Sequence, residues 1–215
     1  MLPWRVRVSE SLSKQVYKDL LESLLRNELV PGTIINRREI AAKLGVSVAP
    51  VLEAMLQLEA EGFLESIPRK GTQVRPIRMV DVRGHLIVRE ALECQAARLY
   101  CGEPVRLNRA ELMHLAQVLD STPVDSLNHW REELDFHQAL VKLTCCDVLI
   151  KEYLKTFRLN VFFSLNRFVT VSDQSQVRQH TELVPKLETD DPAEAEQIMR
   201  DHSRTGKGRL TQGLR

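Results

Sequence analysis

The sequence predicts a mainly α chain: an N-terminal winged helix-turn-helix followed by a C-terminal all-α antiparallel helical bundle. Three observations carry this. Asn36–Gly62 reads as two helices joined by a glycine turn. Two short strand-like runs follow, with Pro68-Arg69-Lys70-Gly71 between them. From Met79 onward, apolar residues recur at helical spacing with no strand-like alternation. At 215 residues and 43% hydrophobic content the chain can bury two cores, and the expected domains are 8–76 and 79–212.

Residues 10–27 carry Leu12, Val16, Leu20, Leu21, Leu24 and Leu25, the stripe of an amphipathic helix. Pro31-Gly32 breaks it, and Thr33–Ile35 is a short extended link. Asn36 is placed to cap the next helix, with Glu39 at capping-box spacing, and Ile40, Ala41 and Leu44 give that helix an apolar face. Gly45 supplies the permissive backbone that ends it. Ser47 is placed to cap the following helix, and Pro50 falls in its first turn, where a missing N–H costs little. Val51, Met55 and Leu58 point that helix into a core. Such a pair, with an exposed N-terminal end on its second helix, is built to lay that end in a DNA major groove. After Gly62, Phe63–Ile67 and Thr72–Val74 read as strands. Arg69, Lys70 and Gly71 at the hairpin tip make a wing able to meet phosphate.

Six helices are expected in the second half, over 80–101, 108–119, 125–143, 146–168, 173–189 and 191–211. Val80, Leu86, Ile87, Ala91, Leu92, Ala96 and Leu99 recur at helical spacing in the first. Asp191 before Pro192 is a sound start for the last. Phe157, Phe162, Phe163 and Phe168 are core by default. No apolar run approaches the roughly 18 residues of a membrane span. Leu2-Pro3-Trp4 runs straight into Arg5 and Arg7, so no signal peptide is expected either. Cys94, Cys101, Cys145 and Cys146 form no CxxC pair and read as reduced thiols, so the expected compartment is the cytoplasm. Net charge is only +1, but residues 1–79 hold 12 Lys/Arg against 9 Asp/Glu, and residues 80–215 hold 18 against 20. The tilt points toward a DNA-facing first half.

Three segments of the bundle carry chemistry. Glu133 and His137 are four apart and share a helical face, while His180 and His202 lie on two later helices. One carboxylate and three imidazoles from three helices can converge on a divalent cation and leave coordination positions open. Taken singly, each is more often a surface or satisfied core group. His85, His114 and His129 lie off this pattern and read as surface. Arg158, Asn160 and Arg167 share a helix that can line a cavity.

Residues 12–75 resemble the winged-helix domain of the GntR family of bacterial transcription regulators. The matching stretches are VPGTII (Val30–Ile35), EIAAKLGVS (Glu39–Ser47), PVLEAMLQLEAEGFL (Pro50–Leu64) and RKGTQV (Arg69–Val74). The resemblance implies a homodimer on a palindromic operator in double-stranded DNA. It places Arg38 at a DNA-contacting position, with Arg37, Lys43, Arg69 and Lys70 available to hold phosphates. The family usually opens its recognition helix with an S-R-T-P-V-R-E-A-L type sequence, where this chain has Ser47-Val48-Ala49-Pro50-Val51-Leu52-Glu53-Ala54-Met55. Val48, Ala49 and Leu52 thus replace two arginines and a threonine. Valine and leucine offer only apolar contact to thymine methyls, where arginine gives bidentate guanine contacts worth about 1–3 kcal/mol each. Three readings stand open: a shifted, A/T-rich operator preference, weak or partner-dependent binding, or loss of DNA binding.

Residues 80–211 resemble the FCD ligand-binding domain of the FadR-like branch, with six helices as in its VanR-type subgroup. The opening helix has that domain's R-x-x-x-E pattern as Arg89 and Glu93. The resemblance implies Glu133, His137, His180 and His202 as metal ligands, with Glu133 where an Asp is usual, and zinc, nickel or manganese as the ion. It further implies a small carboxylate effector on the open metal positions. Arg89 then either pairs with that acid or is tied to Glu93. The leading reading is a ligand-responsive regulator rather than an enzyme. The alternatives are a metal or metabolite sensor without direct operator binding, and a metal-dependent hydrolase, against which stands the lack of a further placed base.

Overall fold

The computed structural model describes residues 11–123, 127–163 and 179–205. The chain divides into two compact units, the division falling between Ile77 and Arg78.

The first unit begins with α1 (Leu12–Leu25), capped by Ser11 and burying Val16, Leu20 and Leu24, while Leu12 remains exposed. β1 (Ile34–Ile35) follows, then α2 (Arg37–Leu44) and α3 (Val48–Glu61). The link expected at Thr33–Ile35 becomes a strand because β3 has a free edge for it. β2 (Leu64–Ile67) and β3 (Gly71–Val74) form the wing hairpin, and Ile34 and Ile35 pair with Gln73 and Thr72 in a three-stranded antiparallel sheet ordered β1-β3-β2. Asn36 caps α2 by accepting the Arg38 N–H at 3.0 Å. Glu39 holds that cap in place through its own bond to the Asn36 amide, 2.7 Å. Gly45 then takes φ 66°, the left-handed conformation that lets α2 end sharply. Ser47 occupies the N-cap position of α3 with extended backbone, but its hydroxyl makes no cap bond. α1 packs along α3, and Leu24, Val51, Met55, Leu58, Phe63 and Val74 are all buried in this unit. Each such fully buried apolar side chain stabilises by roughly 1.5–3 kcal/mol.

The second unit holds seven helical segments among the described residues: α4 (Met79–Tyr100), α5 (Glu103–Leu107), α6 (Arg109–Ser121), α7 (Leu127–Lys142), α8 (Asp147–Phe163), α9 (His180–Lys186) and α10 (Pro192–Arg204). α5 was not expected: the break read at Gly102–Pro104 is instead a helix start, with Pro104 in its first turn. Gly102 makes that corner possible. It has φ 75°, and a Cβ there would run into the Asp190 carboxylate and crowd the Thr189 carbonyl. The expected helix over 173–189 is described only from His180, and the end of the one over 191–211 lies outside the described residues.

α4 packs against α7, α8 and α10, while α6 packs against α7 and α9. Phe157, Phe162 and Phe163 are buried as expected, and Phe168 lies outside the described residues. The apolar positions read on α4 divide between two faces. Leu86 and Ala96 are buried, but Val80, Ile87 and Leu99 are exposed, and the inward places go to Arg89 and Glu93. Helical spacing had merged two faces because the inner one carries charge.

Candidate metal centre and nucleic-acid interface

The N-terminal end of α3 is open to solvent. Val48 is 42% exposed, Leu52 37% and Leu56 55%, three apolar side chains in line at four-residue steps, and Ala49 is exposed beside them. Arg38 and Lys43 are exposed on α2, with Arg37 half-buried. Arg69, Lys70 and Gly71 are exposed at the hairpin tip, where Arg69 takes the left-handed φ of 66°. None of these five cations is held in an ion pair among the described residues. Every residue expected to meet DNA is therefore on the surface of the first unit, and Glu39 is already committed to the Asn36 cap.

The three histidines do converge. Nitrogens of His137 (α7), His180 (α9) and His202 (α10) all lie within 4.8 Å of one another. His137 and His180 are buried and His202 half-buried. Ring centroids stand 5.6 Å apart for His137–His180, 5.3 Å for His137–His202 and 4.9 Å for His180–His202. Glu133 joins through His137, its Oε2 being 3.4 Å from the His137 Nε2. Two ligand atoms bound at about 2.1 Å to a tetrahedral ion lie about 3.4 Å apart, so this spacing suits a shared metal.

Each of two imidazoles has a carboxylate at its other nitrogen. The His180 Nδ1 is 2.7 Å from Asp120 Oδ1, and its buried Nε2 has no hydrogen-bond partner among the described residues. Asp120 also accepts the His180 and Thr181 backbone N–H groups, each at 3.0 Å, and the Thr181 hydroxyl at 2.9 Å. Burial would raise the Asp120 pKa, but these donors outweigh it and hold it down to about 2. The His137 Nδ1 faces Glu93 Oε1 at 3.4 Å. Burial lowers the His137 pKa to about 3 against the pull of Glu93 and Glu133, leaving the neutral imidazole that a metal binds. A buried His180 Nε2 with no hydrogen-bond partner among the described residues and a neutral His137 fit a divalent cation held by the three histidines, while Glu133 stands next to His137 and outside that convergent set.

Arg89 has partners within the chain. Its Nε donates to Glu93 at 2.9 Å, a terminal nitrogen lies 3.4 Å from Glu133, and the guanidinium sits 4.4 Å over the Phe157 ring. Burial opposes its charge, but Glu93, Tyr153 and Glu133 keep its pKa raised. Glu93 is further bound by the Tyr153 hydroxyl at 3.1 Å and the Ser203 hydroxyl at 2.8 Å. A cleft of about 400 Å³ between α9 and α10 has His202 in its wall and Glu182, Lys186 and Asp201 at its sides.

His129, expected on the surface, is buried at 8% exposure. It lies four residues before Glu133 and eight before His137, so the face that turns those two inward takes it along. That spacing was visible in the sequence. His114 is exposed as expected, and His85 is half-buried with its ring 5.3 Å from that of Phe163. The Asn160 amide bonds the backbone of Thr156 and His85, Arg158 is half-buried, and Arg167 lies outside the described residues. Asp120 was missed: it sits 60 residues from His180 with no motif linking them.

Comparison with known proteins covers both units. Residues 12–74 match the family model described as bacterial regulatory proteins, gntR family, and residues 86–205 match the FCD domain. The chain is 25% identical over 203 residues to the HTH-type transcriptional repressor RspR of Escherichia coli (strain K12), spanning 90% of this chain and 86% of that protein. It is 32% identical over 122 residues to the Nta operon transcriptional regulator of Aminobacter aminovorans, spanning 56% and 58% of the two. Among solved structures, E. coli McbR/YncC superposes with a TM-score of 0.72 at 21% identity, over 96% of this chain and all (100%) of that one. A GntR regulator from Rhodococcus sp. RHA1 gives 0.71 at 20% identity over 94% and 99%. At these identities the superpositions establish the fold.

Proposed function

The chain belongs to the gntR family of bacterial regulatory proteins, and on that premise we propose that it works as a cytoplasmic homodimer on a palindromic operator, with a metal-anchored small organic acid as effector. Membership makes it a transcription regulator with a DNA-binding helix-turn-helix and an FCD ligand-binding domain, not an enzyme. No helix among the described residues is long and apolar enough to cross a membrane.

The observation that carries the ligand-responsive part is the histidine cluster with its orphaned Nε2 on His180. His137, His180, His202 and Glu133 would hold zinc, nickel or manganese, which supplies open positions to an acid's carboxylate. Arg89 acts from behind, holding Glu133 and Glu93 in place rather than meeting the effector directly. Effector binding alters operator affinity to the extent that it favours one of two states of the dimer. The exposed Val80, Ile87, Val88 and Leu99 on α4 support contact with a second copy.

On the DNA side, Val48, Ala49 and Leu52 enter the major groove and favour thymine-rich steps. Arg37, Arg38, Lys43, Arg69 and Lys70 hold phosphates. The test is a gel-shift titration on DNA from around the protein's own gene against a scrambled duplex, in a salt series, with zinc and after chelation. The expected result is specific retention that weakens steeply with salt. Discrimination that appears only in Val48→Arg/Leu52→Arg would sink direct operator reading and leave a sensor acting through other proteins.

A further inference from the structure

We infer that Asp120 is the positioning residue of the metal centre: from α6 it fixes His180 with its proton on Nδ1 and so aims the Nε2 lone pair into the histidine cluster before any ion arrives. This rests on the metal reading above.

An ionised carboxylate only accepts hydrogen bonds, so the ring nitrogen 2.7 Å from Asp120 Oδ1 is the one that carries hydrogen. In the neutral form that a metal binds, a hydrogen on Nδ1 leaves Nε2 with its lone pair. That Nε2 is buried and has no hydrogen-bond partner among the described residues, so its lone pair is available to a metal. The same carboxylate fixes the backbone beneath the ring. It accepts the N–H groups of His180 and Thr181, the first two residues of α9, whose own N-cap residue Gln179 provides no side-chain cap. Asp120 is thus an N-cap lent by another helix, and ring and helix start are set together. His137 is held less tightly, its Nδ1 standing 3.4 Å from Glu93. A carboxylate behind a ligating histidine orients the ring and raises its basicity, and losing it typically costs about 10–100-fold in metal affinity.

The test uses the full chain stripped of metal, titrated with zinc against a chromophoric chelator. Variants are Asp120→Asn, which keeps one carbonyl acceptor for a helix N–H group, and Thr181→Val, which removes only the hydroxyl bond to Asp120. Nitrogen-15 NMR of the metal-free wild type reads the His180 tautomer directly and needs no variant to fold. The expected results are the Nδ1–H form in the wild type, about 10–100-fold weaker zinc binding in Asp120→Asn, and unchanged binding in Thr181→Val. An Nε2–H tautomer in the wild type, or zinc bound equally by Asp120→Asn, overturns the inference alone. A wild type that binds none of zinc, nickel and manganese overturns the metal reading and this inference with it.

Discussion

The outer face of α3 and the inner face of α4 are inverted in opposite senses. α3 shows solvent Val48, Leu52 and Leu56, where charge is ordinary. α4 turns Arg89 and Glu93 into the bundle at 3% and 1% exposure, where apolar side chains are ordinary. An exposed apolar row and a buried charge pair are the two departures from normal burial that carry information. The row forms a surface proposed to meet DNA, and the pair stands behind Glu133 and His137. The two differ in what holds them. The α4 pair is over-determined by Tyr153, Ser203, Glu133 and Phe157, whereas nothing in the described first unit covers the α3 row. Removing one partner of the α4 pair is expected to cost stability, and altering the α3 row is not.

The largest test of that difference is Arg89→Met. It leaves Glu93 buried without its cation, and urea unfolding should show about 3–5 kcal/mol lost. Arg89→Met/Glu93→Leu should recover most of it, since replacing a buried pair by packing is often neutral. A single variant as stable as the wild type would erase the contrast. A smaller effect is expected at α3: replacing thymine by uracil in a bound operator half-site removes only methyl groups. Each methyl in contact with Val48 or Leu52 should cost about 0.8 kcal/mol, roughly four-fold in affinity, by the same gel shift. Equal binding of both duplexes would move specificity away from these side chains. The smallest effect is Leu52→Ser, which should change unfolding free energy by no more than about 0.5 kcal/mol. A larger loss would show that the α3 row is packed rather than waiting.

Local elements were legible where punctuation and period agreed. Asn36, Gly45 and Gly62 bound α2 and α3 as read, and the hairpin tip falls at Pro68–Lys70. His137, His180 and His202 were legible through resemblance and converge. What stayed hidden is set by contacts distant in sequence. Asp120 meets His180 across 60 residues, and Ser203 meets Glu93 across 110. No spacing rule reaches that far. The inward turn of α4 was hidden differently: its apolar residues lie on both faces, so periodicity alone cannot say which is inside. Ser47 shows the converse, a correct capping residue in the correct place that makes no cap bond.

Glu59, near the end of α3, accepts both the backbone N–H of Ser66 at 2.9 Å and its hydroxyl at 3.0 Å. With β1 stitched to β3, the recognition helix and the wing are riveted into one rigid caliper. In the proposed DNA complex, the step from the bases under Val48 to the backbone under Arg69 would then be a fixed gauge.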